Sequence, residues 1–323
     1  MRYLTGIKPT GDIHIGNYFG AIKPMVESQS DNNELFVFVA NYHALTSVNT
    51  GADLRRMTND VLTTYLACGL THPNTTLYLQ SQVPEVHELT WYLSCRATVS
   101  ELNRAHAYKD AVANGKVPNH GLFAYPVLMA ADILMFNPDF VPVGKDQKQH
   151  VEFARDWAQS FNNTYSETFK LPEPKIEETL MTIPGTDGRK MSKSYNNVIP
   201  LFGTDAQVKK AIMGIVTDSI PVEDPKDPET CNVFAIYKLM ASLEEQDALA
   251  AKYRAGGMGY GEAKKTLLEK FHEYFGPIRE KKQYYEGHKE EVGKLLADSQ
   301  TRIDREVYKL MNKVIRKVGV DIL

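Results

Sequence analysis

Residues 188 to 197 of this chain read GRKMSKSYNN, a Gly-led stretch in which Arg189, Lys190 and Lys193 alternate with Ser192 and Ser194. Lysines on a mobile loop can swing onto a polyphosphate and neutralise charge as it develops on leaving oxygens. Most basic runs are only solvated loops, yet average residue usage yields KMSKS in a chain of this length on the order of once in ten thousand. A second stretch, KPTGDIHIGN (Lys8 to Asn17), joins a short apolar run to a helical one through a Gly-containing turn. Strand, turn and helix start form the anion-cradling geometry of nucleotide-binding α/β sheets. There His14 can donate to a phosphate, Gly16 would admit a flat base or ribose to the backbone, and Asn17 suits an N-cap. H-x-G-N alone fits many helix starts. The third feature is Asp132, alone within the apolar run Tyr125 to Phe136. With Tyr125 and Met129 it falls at i, i+4 and i+7 on one face of a helix expected to start near Pro126. A core helix whose Asp bonds a backbone group would look the same.

The elements that must carry these residues alternate in type. Tyr3 to Ile7, Leu35 to Ala40, Thr76 to Leu79 and Phe140 to Val143 are strand-like, and LFVFVA has the continuous apolar character of a strand covered on both faces. Between them Tyr18 to Ser28, Asp53 to Cys68, Val86 to Arg96 and Gln147 to Asn162 have helical periodicity, the last with Val151, Ala154, Trp157 and Ala158 inward. This is the signature of a doubly wound, Rossmann-like parallel α/β sheet. Beyond Pro200 the strands stop. Ala206 to Val216, Cys231 to Leu243, Gln246 to Ala255, Gly261 to Glu286 and His288 to Val318 all read as helix, separated by Gly and Pro breaks.

Composition bounds the function. The 323 residues are 43% hydrophobic and 24% charged, and the 37 basic and 40 acidic side chains leave a net charge of −3. That argues against a wholly basic nucleic-acid binder. With a mean hydropathy of −0.35 and no apolar run of spanning length, no membrane partner is expected. The opening MRYLTGIKPTG reads as a strand and turn rather than a secretory signal, so a cytoplasmic protein is expected. Cys68, Cys95 and Cys231 form no CxxC pair, and the nine histidines show no HxxxH or HExxH spacing. Neither a disulfide framework nor a protein-ligated metal is expected.

HIGN near the start and KMSKS after the sheet together resemble the two signatures of class I aminoacyl-tRNA synthetases. The sequence between is similar to the tryptophanyl branch of that family in GIKPTGDIHIGNYFGA, NYHALT, QSQVPE, YPVLMAADILMF and VPVGKDQKQHVEFARDWAQSFN. The helical part matches more loosely, at GIVTDS and YGEAK. The resemblance implies a Rossmann-like catalytic domain over residues 1–186. Residues 187–323 would hold the KMSKS loop and an all-helical anticodon-binding domain, with the last helix a candidate to pack back on the first. It implies a reaction in which the tryptophan carboxylate attacks the α-phosphorus of ATP, followed by transfer of the acyl group to tRNA(Trp), in a symmetric homodimer. Mg²⁺ would arrive on ATP oxygens, without a protein cage.

Residue by residue, the resemblance implies catalytic roles for His14, Lys190 and Lys193. ATP would be bound by Lys8, Thr10, Gly16, Asn17, Gly144, Asp146, Met191, Ser192 and Ser194. Tryptophan would be bound by Leu4, His43, Tyr125, Met129, Asp132, Val141, Val143 and Gln147. An indole pocket needs apolar walls and one acceptor for a ring N–H that only donates; Asp132 suits the acceptor and Met129 a soft neighbour to the ring. An Asp capping the helix after VPVGKDQ is the plainer account of Asp146. Two departures stand out: Lys8 replaces a frequent Gln, and Ala111 in the loop expected over Tyr108 to Lys116 replaces a second ATP-directed lysine, for which Lys109 or Lys116 would substitute. The alternatives are a tyrosyl enzyme with the same signatures, a catalytically silent paralogue that binds RNA, and a small-molecule nucleotidyltransferase. The last has no need of a long helical half.

Charge is unevenly divided. Glu262 to Leu323 hold 14 basic and 11 acidic residues, a net of +3, leaving −6 for the rest. Arg302, Arg305, Lys309, Lys313 and Arg316 recur along one helical face, a candidate contact for an RNA backbone.

Overall fold

A computed structural model describes residues 1–9, 11–115, 117–144, 147–176 and 183–321. Its centre is a sheet of five parallel strands: β1 (Arg2–Ile7), β2 (Glu34–Val39), β3 (Thr75–Leu79), β4 (Phe140–Val143) and β5 (Glu173–Ile176). Their order is β3-β2-β1-β4-β5, with Leu4 opposite Phe36, Tyr3 opposite Phe140 and Val141 opposite Pro174. Chain direction across the sheet reverses between β1 and β4. Ligands of open α/β sheets bind in the crevice that this reversal opens at the strands' carboxyl ends, where the KPTGDIHIGN and VPVGKDQ turns lie.

The sequence reading has four strands, and β5 is the one it misses. Its EPKI carries a proline and two charged residues; a proline cannot donate to a ladder, and an edge position tolerates that. β2 shows why the centre is legible. Leu35, Val37 and Val39 enter one hydrophobic cluster and Phe36 and Phe38 the other, all five at 7% exposure or less.

The helices differ from expectation in their starts. The first helical run begins at Ile15 rather than Tyr18, and consists of Ile15–Asn17, a π-turn Tyr18–Ile22 and Lys23–Glu27 (together α1). Next come α2 (Gly51–Ala67), α3 (Glu85–Ser94) and α4 (His106–Ala113). The last lies where a loop over Tyr108 to Lys116 was expected, and it buries Ala111. α5 (His120–Met135) starts six residues before Pro126, capped by Asn119 through a bond from Leu122 N (2.8 Å). Pro126 therefore sits inside the helix, not at its start. α6 (Lys148–Tyr165) buries Val151, Ala154, Trp157 and Ala158.

After the sheet come α7 (Asp205–Met213), α8 (Asn232–Tyr237), α9 (Leu243–Ala255), α10 (Tyr260–Gly287) and α11 (Lys289–Val318). The helix expected over Cys231 to Leu243 stops at Tyr237, and α9 starts at Leu243, where Ser242 caps it by accepting from Glu245 N (3.3 Å). No helix among the described residues is long and apolar enough to cross a membrane.

One face of the sheet is continuous with the helical part: Tyr18, Val37, Ile199, Phe234, Phe271 and Phe275 share a cluster. Tyr18 meets Phe275 edge-on at 5.1 Å and Phe19 meets Tyr274 at 5.8 Å, so the π-turn faces α10. Lys282 of α10, with only 5% of its side chain exposed, pairs with Asp60 of α2 (2.8 Å) and with Glu286. The opposite face packs on α3, α5 and α6 and also takes up Ile303, Val307, Leu310, Met311 and Val314 of α11. Two members of the basic stripe fasten that helix: Arg302 donates to Pro73 O and Thr76 Oγ1, and Lys313 to Thr168 O. Arg305, Lys309 and Arg316 are exposed. Leu310→Ala is expected to cost about 2–5 kcal/mol, the range for a large apolar side chain removed from a packed core. A urea midpoint equal to wild type would show that α11 contributes nothing to the fold.

Candidate active site

β1 delivers the chain to the crevice with its alternation intact: Leu4 faces the α5 side and Tyr3 the α1 side. Gly6 is imposed by its neighbour, because a Cβ there would lie 2.8 Å from both the ring and the carbonyl of Phe38. The turn that follows has Gly11 at φ +75, a conformation suited to glycine. The chain then pairs with a segment nearly two hundred residues downstream. Ile15 N donates to Ile199 O (3.1 Å) and Leu201 N to Ile13 O (3.1 Å), making an antiparallel bridge of His14 with Pro200.

Here the structure reassigns two residues. The N-cap of α1 is His14, not Asn17; Asn17 occupies the third helical position and its Oδ1 accepts from His14 N (3.1 Å). Gly16 is already required by its protein neighbours, since a Cβ on it would meet His14 Nδ1 at 2.9 Å and Met191 Sδ at 3.2 Å.

The lysine loop is closed at its base by a small antiparallel pairing: Met191 N donates to Ile183 O (2.8 Å), Gly185 N to Arg189 O (2.6 Å), and Pro184 bridges Lys190. Met191 is buried, whereas Lys190 is exposed. Lys193 begins a single 3-10 turn, Lys193–Tyr195, which Ser192 caps by accepting from Ser194 N (3.3 Å). Lys193 Nζ reaches within 3.2 Å of where a Gly11 Cβ would be, so the loop's second lysine lies over the first turn. Partial burial lowers its pKa, and Asp12 and Asp60 oppose that shift. His14 is held down to about 4 by burial and secondarily by Lys193. Its imidazole is thus neutral at pH 7, and its buried Nδ1 has no hydrogen-bond partner among the described residues. Two of the residues named from sequence are therefore neighbours, the neutral His14 imidazole and the Lys193 ammonium, with Lys193 lying over the Gly11 turn.

The second half of the site is built on α5. Asp132, 3% exposed, accepts from His43 Nε2 (2.8 Å) at Oδ2 and from Gln80 Nε2 at both oxygens (3.0 and 2.8 Å). Gln80 in turn accepts from Tyr42 N (2.9 Å) and His43 N (3.2 Å). A carboxylate offers about four lone-pair directions, so these three contacts from two donor atoms leave room for one more. Tyr125 sits edge-on to His43 at 6.1 Å and bonds His150 Nε2 through its hydroxyl (2.8 Å), with burial pushing that hydroxyl up to about 12. His43 and Tyr125 line a pocket of about 410 Å³ together with Tyr42, Thr46, His87 and Leu128.

The other expected residues have surroundings of their own. Leu4 and Val141 are buried core, and Met129 is half-buried against it. Val143 and Gly144 border a small pocket of about 90 Å³ with Thr5, Gly20 and Ala21. Gln147 is the N-cap of α6 and donates through its backbone to Gly144 O (3.0 Å). Lys8 spends its ammonium on Thr46 Oγ1 (2.8 Å), and Thr46 in turn bonds His43 O (2.8 Å), so Lys8 braces the His43 turn. Ser194 and Lys109 are at or near the surface. Thr10, Asp146 and Lys116 lie outside the described residues. Among the described residues no group of three His, Cys, Asp or Glu side chains could hold a metal ion.

Sequence reasoning missed Gln80 and Asn197, both buried amides. Each lies inside a stretch quoted above, QSQVPE and KMSKSYNN, but an amide's partners depend on tertiary contacts that spacing does not reveal.

A family of class I tRNA synthetases, described as W and Y, matches residues 1–276. A tryptophan–tRNA ligase of Rhodopirellula baltica is 47% identical over 320 residues, 99% of this chain and 100% of that protein. A tryptophanyl-tRNA synthetase of Campylobacter jejuni, solved with ADP and tryptophan, superposes with a TM-score of 0.95 at 46% identity, covering 99% of this chain and all of that one. A tyrosyl-tRNA synthetase of Archaeoglobus fulgidus, at 18% identity and TM-score 0.61 over 87% of this chain, shares the fold.

Because His14 is neutral in the fold below its ordinary pKa, its share of stability is complete above about pH 6.5 and is lost as pH falls toward 4. His14→Asn is expected to flatten the acid limb of the urea-unfolding profile in that window, by no more than about 1.4 kcal/mol per pH unit. Parallel limbs for the two proteins would contradict the burial of this ring.

Proposed function

The chain belongs to the class I tRNA synthetases of the tryptophan and tyrosine family, its activity is that of a tryptophan–tRNA ligase, and we propose how its residues serve that activity. The observation that carries the proposal is the meeting of Lys193 with the Gly11 turn beside a neutral His14 whose buried Nδ1 has no hydrogen-bond partner among the described residues. Chemistry at a phosphorus relies on positioning and charge stabilisation more than on covalent catalysis. His14 offers a ring nitrogen to a phosphate oxygen. Lys193, partly stripped of water, and the exposed Lys190 follow charge onto the departing pyrophosphate. Mg²⁺ carried on ATP oxygens would neutralise the phosphates, and the chain's own task is to orient them.

Asp132 receives the indole N–H in its remaining lone-pair direction. The His43 and Gln80 bonds keep that carboxylate turned to accept, and Tyr125 and Met129 stand on the same helix face. A tyrosyl enzyme must satisfy a phenol hydroxyl, which both donates and accepts; a carboxylate, which only accepts, suits a ligand group that only donates. The helical residues 187–323 serve as the tRNA-binding part, with exposed Arg305, Lys309 and Arg316 available to a phosphate backbone. A cytoplasmic symmetric homodimer, in keeping with the family resemblance, completes the reading.

Three experiments test it. ATP–pyrophosphate exchange across the twenty amino acids is expected with tryptophan alone; exchange driven by tyrosine only, or by none, overturns the assignment. Lys193→Ala should abolish most of the exchange while tryptophan binding survives, and wild-type exchange would remove the loop's role. Asp132→Ala should weaken tryptophan by about 30- to 150-fold, the effect of leaving one buried donor unpaired, with ATP nearly unaffected. Equal losses for both ligands would make Asp132 a core residue.

A further inference from the structure

Asn197 stands four residues beyond Lys193, and its side chain, in a residue only 2% exposed, is fully engaged. Its Oδ1 accepts from Ser192 N (2.8 Å), while Nδ2 donates to Lys190 O (3.0 Å) and to Asp187 Oδ1 (2.6 Å). Its backbone oxygen accepts from Thr186 N (2.9 Å). One amide thus grips the loop on both sides of Met191. The fit has no slack: a Cβ on Gly185 would come within 2.2 Å of Nδ2 and 2.7 Å of the Asn197 carbonyl oxygen. Asn196, left-handed at φ 52, ends the 3-10 turn that carries Lys193 and folds the next residue back beneath it. Asp187 is itself fixed, accepting from Arg189 Nε (2.7 Å) and N (3.1 Å), and the Arg189 guanidinium stacks over Tyr195 at 4.6 Å.

Backbone groups that would otherwise need water are therefore satisfied inside the loop by a single side chain. Removing it frees Ser192 N–H and Lys190 C=O, and the turn beneath Lys193 gains conformations that must be lost again when nucleotide binds. We infer that Asn197 is a positioning residue of the lysine loop, with Asp187 as its counterpart: it sets the backbone of residues 187–192 so that Lys193 is presented at the Gly11 turn before the nucleotide arrives. The inference rests on the activity assigned above. It concerns the nucleotide half only, because every bond of the Asn197 side chain lies between residues 187 and 192, away from His43, Gln80 and Asp132.

The test compares Asn197→Ala, Asn197→Asp and the double variant Asn197→Asp/Asp187→Asn with wild type. Three quantities are read: exchange kinetics at varied ATP and tryptophan, the tryptophan dissociation constant, and hydrogen–deuterium exchange of residues 186–195. Asn197→Ala should lower kcat/KM for ATP about 30-fold or more, as lost preorganisation does. The tryptophan constant should stay near wild type, and the Ser192 amide should exchange faster. Asn197→Asp sets two carboxylates at the 2.6 Å contact and should be as poor. Adding Asp187→Asn removes the repulsion between the two carboxylates, though Lys190 O still faces an oxygen, and it should recover activity by a factor of about three or more, the coupling expected of contacting partners. Overturning results are ATP kinetics within about threefold of wild type in Asn197→Ala, an equal loss of tryptophan binding, or no recovery in the double variant. If wild type itself shows no tryptophan-dependent exchange, the activity falls, and the deuterium exchange of Ser192 still decides the brace: unchanged protection in Asn197→Ala rejects it.

Discussion

Two backbone hydrogen bonds hold the site together: Ile15 N to Ile199 O and Leu201 N to Ile13 O. They make one short antiparallel pairing from segments that bracket β2 to β5 along the chain, and both His14 and the lysine loop are joined to it. On one strand of the pairing is His14, whose ring is thereby buried; on the other is the outgoing arm of the lysine loop. A loop anchored only at its own base would present Lys193 anywhere within reach of its stem. Anchored to residues 13–15, it presents that lysine over the Gly11 turn. The close contacts of Gly16 with His14 and Met191 follow from the same pairing.

The pairing needs a firm floor, and the π-turn Tyr18–Ile22 supplies it. A π-turn places one extra residue in a helix and commonly marks a functional site. Here it directs Tyr18 and Phe19 at Tyr274 and Phe275, binding the start of α1 to the long α10. The Lys282–Asp60 pair joins α10 to α2 beside the same region. A buried pair of this kind adds little net stability, but breaking it strands a charge, so it fixes which parts of the two helices meet. Asp60 is also one of the two carboxylates felt by Lys193. Together with Asp12, Thr186 and Asn196 these groups surround a cavity of about 710 Å³ behind the loop. The charge of the loop lysine is thus balanced from the helical side and from the sheet side at once.

What could be read in advance divides along a physical line. β2 was legible because alternating Leu, Phe and Val on a twice-covered strand encode their own burial, and α6 because Val151, Ala154, Trp157 and Ala158 mark a face at helical spacing. β5 was not, since EPKI owes its strand conformation to the neighbour β4 rather than to its own residues. Asp132 was legible because a lone carboxylate in an apolar run demands a partner. Gln80 was not, although it is Asp132's partner, because a glutamine after a strand makes no such demand. His14 was recognised as chemical but not as the cap, because capping by Asn17 and pairing with residue 200 compete for the same local backbone and the long-range contact wins. The bond of Lys8 to Thr46 Oγ1 was not legible, because it joins two turns that only the fold brings together.

The electrostatics of the ligand-free site have a direction. Burial lowers the pKa of Lys193 against the opposing pull of Asp12 and Asp60, and His14 is held neutral beside it. A polyphosphate entering at the switch point between β1 and β4 would add negative charge beside that ammonium, so its binding favours the arrangement that the pairing of residues 13–15 with 199–201 already approaches. A ligand shifts an equilibrium only by its differential affinity for two states. The differential here resides in one ammonium and one imidazole, neither of which touches the Asp132 centre. On the proposed reading, a tryptophan at Asp132 would meet a carboxylate whose orientation His43 and Gln80 already fix. The Lys8–Thr46–His43 chain of hydrogen bonds joins the segment after β1 to a partner of Asp132, and through it the two halves of the proposed site would couple.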